Sequence, residues 1–206
     1  MKKIFLTIAI LISTYVNAQK VIKAKSETGI DLMKYEISPD NFGSYDGAIE
    51  PINVYEVSCS STLPAQGQVT YDAKNLNDAR IETTWAEGDK EYGIGTKIDF
   101  KFLQDIDADF TNTTVINGYY KSKISFQDNS RVKKFKLYLN NKEIAVIELN
   151  DFRGMQTLSL FDVFPKGKHA TSNKLKKDDV LQFEILEIYP GAKYKDVCIS
   201  EFRLTM

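Results

Sequence analysis

Eight short runs of alternating or β-branched residues, bounded by turn formers, constrain this chain more than any other feature. They occupy 52–59 (INVYEVSC), 95–102 (GTKIDFKF), 113–120 (TTVINGYY), 133–140 (KKFKLYLN), 142–149 (KEIAVIEL), 156–163 (QTLSLFDV), 180–189 (VLQFEILEIY) and 197–205 (VCISEFRLT). Phe135, Leu137 and Leu139 alternate with Lys136 and Tyr138, the period-two pattern of a strand with one wet face. Asn140-Asn141 separates two such runs and predicts a two-residue hairpin, because Asn tolerates positive φ. No segment longer than about ten residues carries an amphipathic helical period, and a short helical turn fits 72–80. The expected fold is all-β, an antiparallel β-sandwich of jelly-roll type.

The start of the chain, MKKIFLTIAILISTYVNAQK, reads as a signal peptide over residues 1–18. Lys2 and Lys3 form a basic head, Ile4 to Val16 an apolar stretch, and Val16-Asn17-Ala18 a small-residue cleavage site before Gln19. The apolar stretch falls short of the roughly 20 residues needed to span a bilayer, and no second hydrophobic segment follows. The chain is therefore expected to be exported, to a periplasmic or extracellular location, with no membrane span. Cleavage takes Lys2 and Lys3 from the 27 basic residues and none from the 28 acidic ones, leaving a formal charge of −3. Such a balance argues against nucleic acid as a partner, since that binding needs a basic surface to neutralise phosphates. Residues 19–50 hold no sustained period and read as an N-terminal arm or linker, and 51–206 as one domain. Oligomeric state is not legible.

In an antiparallel sandwich alternate connections share an end. The 140–141 hairpin, the 105–112 loop and the 165–179 loop fall at one end, here the bottom, with Lys, Asp, Ser and Asn. The top receives 85–93, 118–132, 150–155 and 189–196, which carry Trp85, Tyr92, Tyr119, Tyr120, Tyr189 and Tyr194 beside Arg131 and Arg153. Aromatic faces next to planar polar side chains suit neutral, hydroxyl-rich ligands.

Three segments carry a family resemblance: YDAKNLNDARIETTWAEGDKEYGIGTKIDF, INGYYKSKISFQDNSRVKKFKLYL and EIYPGAKYKDVCISEFRL. In this order and spacing they resemble the NADase-type glycan-binding domain, also called the NAD-glycohydrolase translocation domain. That family is related to discoidin (coagulation-factor type C) domains in the galactose-binding-like superfamily. The match runs from about Val57 to Leu204. The resemblance implies a galactose-binding-like jelly roll with a carbohydrate-binding or adhesion role and no NAD-cleaving activity. Among the matching positions, Gly118 and Gly191 read as turn formers and Glu201 as the partner of a buried cation or backbone amide, with Arg131 the expected cation. The expected ligand-binding residues are Trp85, Glu87, Tyr119, Lys121, Arg131, Tyr189, Lys193, Tyr194 and Asp196.

Other chemistry finds little support. His169, the single histidine, lies among Lys, Ser and Asn in a bottom loop, with no apolar pocket to tune it for triad chemistry. Asp105, Asp107 and Asp109 begin a calcium-loop pattern, but Phe110 stands where the turn needs Gly and Ile116 where a bidentate Glu is needed. No cofactor is expected, apart from a weak signal for a structural calcium through Asp72, Asn75 and Asp78. No catalytic residue is assigned. Two rival classes remain open: a structural or protein-partner-binding surface module, and a glycoside hydrolase using Glu87 and Asp196, which would need two carboxylates about 5–9 Å apart. The two cysteines of an exported chain, Cys59 and Cys198, are expected to form a disulfide between a first and a last strand paired edge to edge.

Overall fold

The computed structural model describes residues 19–28, 32, 54–89, 91–108, 113–169 and 172–204. In chain order its strands are β1 (Val21–Lys23), β2 (Lys25–Ser26), β3 (Tyr55–Cys59), β4 (Trp85–Ala86), β5 (Lys97–Phe102), β6 (Ile106–Ala108) and β7 (Thr113–Asn117). They continue as β8 (Arg131–Leu139), β9 (Lys142–Glu148), β10 (Met155–Leu158), β11 (Asn173–Leu175), β12 (Val180–Tyr189) and β13 (Cys198–Arg203). A 3-10 turn at Ala73–Leu76 precedes β4, and one short helix, α1 (Lys123–Asp128), joins β7 to β8.

Six strands form one sheet in the order β1-β9-β8-β12-β5-β3, and five form the other in the order β2-β10-β7-β13-β4. β6 and β11 make a separate ribbon. The fold is thus the antiparallel β-sandwich that the period-two runs predict. The alternation is visible in burial: Ile98, Phe100 and Phe102 of β5 point inward while Lys97, Asp99 and Lys101 do not. Between the sheets Phe202 of β13 meets Phe183 of β12 at 4.6 Å, Phe100 of β5 at 5.1 Å and Phe135 of β8 at 5.8 Å between ring centroids. The first two pairs meet edge-on and the third is tilted, and such ring contacts add to the area these rings remove from water. A second, smaller cluster of Leu32, Ile81, Ile116 and Tyr120 lies apart from this core.

Asn140 and Asn141 take φ of 51° and 65°, the left-handed pair that a two-residue hairpin requires. Gly118 has φ of 85°, as a turn glycine should, and a Cβ there would also meet Arg131 Cγ at 2.7 Å. Gly191 serves differently from the expected turn centre. It is not among the positive-φ glycines, and its place is explained by close approach, since a Cβ would lie 2.3 Å from the Asp128 carbonyl oxygen.

Two connections differ from expectation. Residues 21–26, read as part of an arm or linker, belong to both sheets: β1 runs parallel to β9 with Val21 opposite Val146, and β2 pairs with β10 with Lys25 opposite Thr157. Strands of three and two residues are too short to show a period. The first strand of the main body, β3, pairs with β5 and not with the last strand, β13, which lies in the other sheet. Residues 1–18, the expected signal peptide, lie outside the described residues. No helix among the described residues is long and apolar enough to cross a membrane.

The ends of the sandwich segregate as strand parity predicts. At the bottom, Asn140 Nδ2 donates to Asp179 and Lys176 pairs with Asp105. At the top, the β7–β8 and β12–β13 connections are stitched together. Gly118 N donates to Cys198 O, Ser130 N to Asp196 O, and Tyr194 N to Asp128 O.

Candidate functional site

The top end sorts the sequence candidates into three groups. Trp85, Glu87 and Arg131 are corrections, because each is buried and fully engaged within the fold. Trp85 is 0% exposed, sits in the main core, and its Nε1 donates to Ser61 O at 3.1 Å. An indole placed this way is part of the sandwich and offers no face to a ligand. Glu87 is also 0% exposed, and its carboxylate accepts the Asp89 amide at 2.7 Å and the Val197 amide at 3.4 Å. Burial pushes its carboxyl pKa up, with the two amides pulling the other way.

Arg131 is 7% exposed and grips Asp151 through both fork arms, Nε to Oδ1 at 2.8 Å and Nη2 to Oδ2 at 3.0 Å. Its Nη1 donates to the carbonyls of Phe126 and Asn129, and its guanidinium lies over the Phe126 ring. This arginine locks α1 and the 149–154 loop to β8. It is not the partner of Glu201, whose cation is Arg203, two residues along the same strand, with Nε to Oε2 at 3.0 Å. Glu201 also accepts the Arg80 amide at 2.8 Å, which fastens the 72–84 segment to β13.

Tyr189 is half-buried, and its hydroxyl donates to Leu149 O at 3.0 Å, so it ties β12 to the end of β9.

Tyr119, Lys121, Lys193, Tyr194 and Asp196 reach solvent on neighbouring top loops. Ser122 caps α1 by accepting the Ser125 amide at 2.9 Å, which fixes the path of the chain just after Lys121. Lys193 Nζ lies 4.9 Å from the centroid of the Tyr194 ring, and Tyr194 is 43% exposed.

Around Tyr119 and Asp196 the structure adds a residue the sequence reading missed. Burial raises the phenol pKa of Tyr71, and the nearby carboxylate of Asp196 adds to the rise. Burial likewise raises the phenol of Tyr119, with Tyr71 and Cys198 contributing. Asp196 is half-buried, and desolvation raises its carboxyl pKa. Two neutral phenols and a carboxyl group thus lie within electrostatic range of one another at this end of the sandwich. Tyr71 carried no local signal, since it precedes the 3-10 turn in a segment with no strand period. Only the fold of 60–84 over the top and flank of the sandwich brings it there.

The disulfide expectation is corrected as well. Cys59 and Cys198 are both free thiols. Cys59 ends β3 in the six-stranded sheet and Cys198 starts β13 in the other, so the assumed edge pairing does not exist. Two residues of the calcium signal are engaged within the fold. Asn75 turns its amide nitrogen, a donor, toward the carbonyls of Thr70 and Thr84 at 2.9 Å each, while Asp78 accepts from Arg80 N and Thr83 Oγ1. A cation would need those oxygens facing it. No group of three or more His, Cys, Asp or Glu suited to a metal occurs among the described residues.

A discoidin-like sandwich carrying a polar, aromatic end is the class these features define. Residues 45–205 match the family described as the NAD glycohydrolase translocation F5/8 type C domain, and the chain belongs to that family. Among solved structures, the paired CBM32-1 and CBM32-2 domains of ZmpB from Clostridium perfringens, in complex with GalNAc, align with a TM-score of 0.57 at 10% identity. That alignment covers 93% of this chain and 41% of theirs. The same domains without GalNAc in their description align with a TM-score of 0.56 at 11% identity, over 93% of this chain and 42% of theirs. The chain therefore spans about two fifths of the length of these two structures. At such identity the likeness is one of fold. No curated protein matches the sequence.

Proposed function

We propose that this protein is an exported, non-catalytic carbohydrate-binding module that holds a glycan at the top of its sandwich. The observation that carries the reading is the solvent-reaching aromatic and polar set on neighbouring top loops, Tyr119, Lys121, Lys193, Tyr194 and Asp196, with Tyr71 within electrostatic range of Tyr119 and Asp196. A tyrosine ring offers an apolar face to a pyranose, and the neutral phenols and Asp196 supply directed hydrogen bonds to its hydroxyls. Tyr194 and Lys193 extend the surface along the 190–197 loop. The fold, shared with CBM32 domains solved in complex with GalNAc, is compatible with this role.

The non-catalytic half of the reading rests on Glu87. Glycoside hydrolysis needs two carboxyl groups flanking one sugar bond, and the expected partner of Asp196 is enclosed in the fold. Export rests on the basic, apolar and small-residue sequence of residues 1–18, and intact-mass analysis of secreted material should give a chain starting at Gln19. A chain retaining Met1 would refute it.

A glycan array of the mature protein should identify a ligand. Tyr71→Ala and Tyr119→Ala, each checked for a native melting profile, should then weaken binding by about 1–3 kcal/mol, the scale of a well-packed contact residue. Lys168→Ala, at the opposite end, should change nothing. Unaltered affinity in both tyrosine variants would refute the location, and a blank array would leave a structural or partner-binding module as the better account.

A further inference from the structure

Arg153 is anomalous among the arginines at this end and flank of the sandwich. Arg131 has Asp151 and Arg203 has Glu201. The half-buried Arg153 pairs with no carboxylate among the described residues. Its Nη2 donates to Tyr120 O at 2.8 Å, its guanidinium lies 4.0 Å from the centroid of the Tyr120 ring, and its buried Nε has no partner. A buried guanidinium nitrogen without a partner is costly, and a fork with unused donors matches a pair of anionic oxygens.

The platform beneath it is rigid. Tyr120 is 4% exposed, packs in the second core with Ile81 and Ile116, and donates its backbone N–H to Ser200 Oγ at 2.9 Å. The carbonyl that Arg153 holds is bonded to the nitrogen of Lys121, which is exposed. Lys121 makes no ion pair among the described residues. Asp151, two residues from Arg153, is held by Arg131. Tyr119 and Lys121 lie two residues apart, at most about 7 Å between Cα atoms, and Arg153 holds the carbonyl of the residue between them.

We infer that Arg153 and Lys121 form a subsite for an anionic group of the glycan, a carboxylate or a sulfate ester, while the sugar ring lies against Tyr119 and Tyr71. This rests on the glycan-binding reading above and gives it a ligand class: acidic carbohydrates. Arg153 supplies the oriented fork, and Lys121 a mobile charge that reaches the same anion from the solvent side. Because Lys121 is exposed, its share of the attraction weakens with ionic strength.

The test is an array in which each glycan is printed in matched forms: with and without its sialic acid, and with and without its sulfate. Acidic members should bind roughly tenfold or more tighter than their neutral counterparts, as charge-assisted contacts do. The sialylated and sulfated pairs separately report carboxylate and sulfate recognition. Arg153→Gln should remove the preference and leave binding of the neutral form intact. Arg153→Lys should restore part of it, and Lys121→Ala, at an exposed position, should reduce it in a protein that melts normally. Equal binding of both members in every pair would overturn the subsite, as would a preference that survives Arg153→Gln. Neutral binding that depends on Tyr119 but shows no acidic preference would overturn the subsite alone. Absence of binding to every printed glycan would overturn the binding reading and the subsite with it.

Discussion

Trp85→Ala is expected to destabilise the protein by about 3–5 kcal/mol, the range for emptying a buried aromatic site. The indole is fully enclosed, and β4, which carries it, is only two residues long and forms the edge of its sheet beside β13. Its loss would also free the Ser61 carbonyl that anchors the start of the 60–84 segment. Domains are stable by only about 5–15 kcal/mol, so the change removes a large share of the total. In a chain of this length the melting temperature should fall on the order of 10 °C. Thermal denaturation followed by circular dichroism measures it directly. A variant that melts with the wild type while losing glycan affinity would return Trp85 to the binding surface.

Glu201→Ala should cost a similar amount, about 3–5 kcal/mol, because it takes the carboxyl acceptor away from the buried Arg203 guanidinium and the Arg80 amide. The side chain is fully enclosed and accepts from both Arg203 Nε and the Arg80 amide. Its removal therefore loosens the segment that carries Tyr71 along with β13 itself. If the proposed glycan site is correct, binding there should weaken in this variant even though Glu201 lies outside it.

The same residue gives a pH dependence. Burial pushes the Glu201 carboxyl up to about 8, with the Arg203 guanidinium opposing the rise. The folded state then holds this proton more tightly than the unfolded chain, whose ordinary value is 4.5. The group's stabilising contribution is complete below the unfolded value and is lost as pH rises through the folded one. Glu87 and Asp196, both raised chiefly by burial, act in the same direction. Stability measured by urea denaturation should therefore decline from pH 5 to pH 8, by at most about 1.4 kcal/mol per pH unit for each proton. Glu201→Gln should flatten that profile. A wild-type stability that climbs across this window would mean the pair stays ionised throughout.

Of the fold, the sequence by itself determined the strands long enough to repeat a period. β8, β9 and β12 lie where alternation or β-branching marks them, and the Asn140-Asn141 hairpin follows from two residues that accept positive φ. Strand parity then separated the two ends correctly, because antiparallel order needs no coordinates. The aromatic end was legible for the same reason.

Tertiary structure decided which side chains at that end face outward. Trp85, Glu87 and Arg131 have the composition of a sugar site, yet burial and hydrogen bonding assign them to the frame. Composition cannot separate these cases, since a ring that stacks on a sugar also fills a core, and an arginine that grips a carboxylate does so within its own chain equally well. The reverse error concerns Tyr71 and Arg153, whose significance lies in contacts across distant loops. Sheet membership was likewise decided in three dimensions. Strand pairing depends on contacts far apart in sequence, so nothing local could place Cys59 and Cys198 in different sheets or fold residues 21–26 into both.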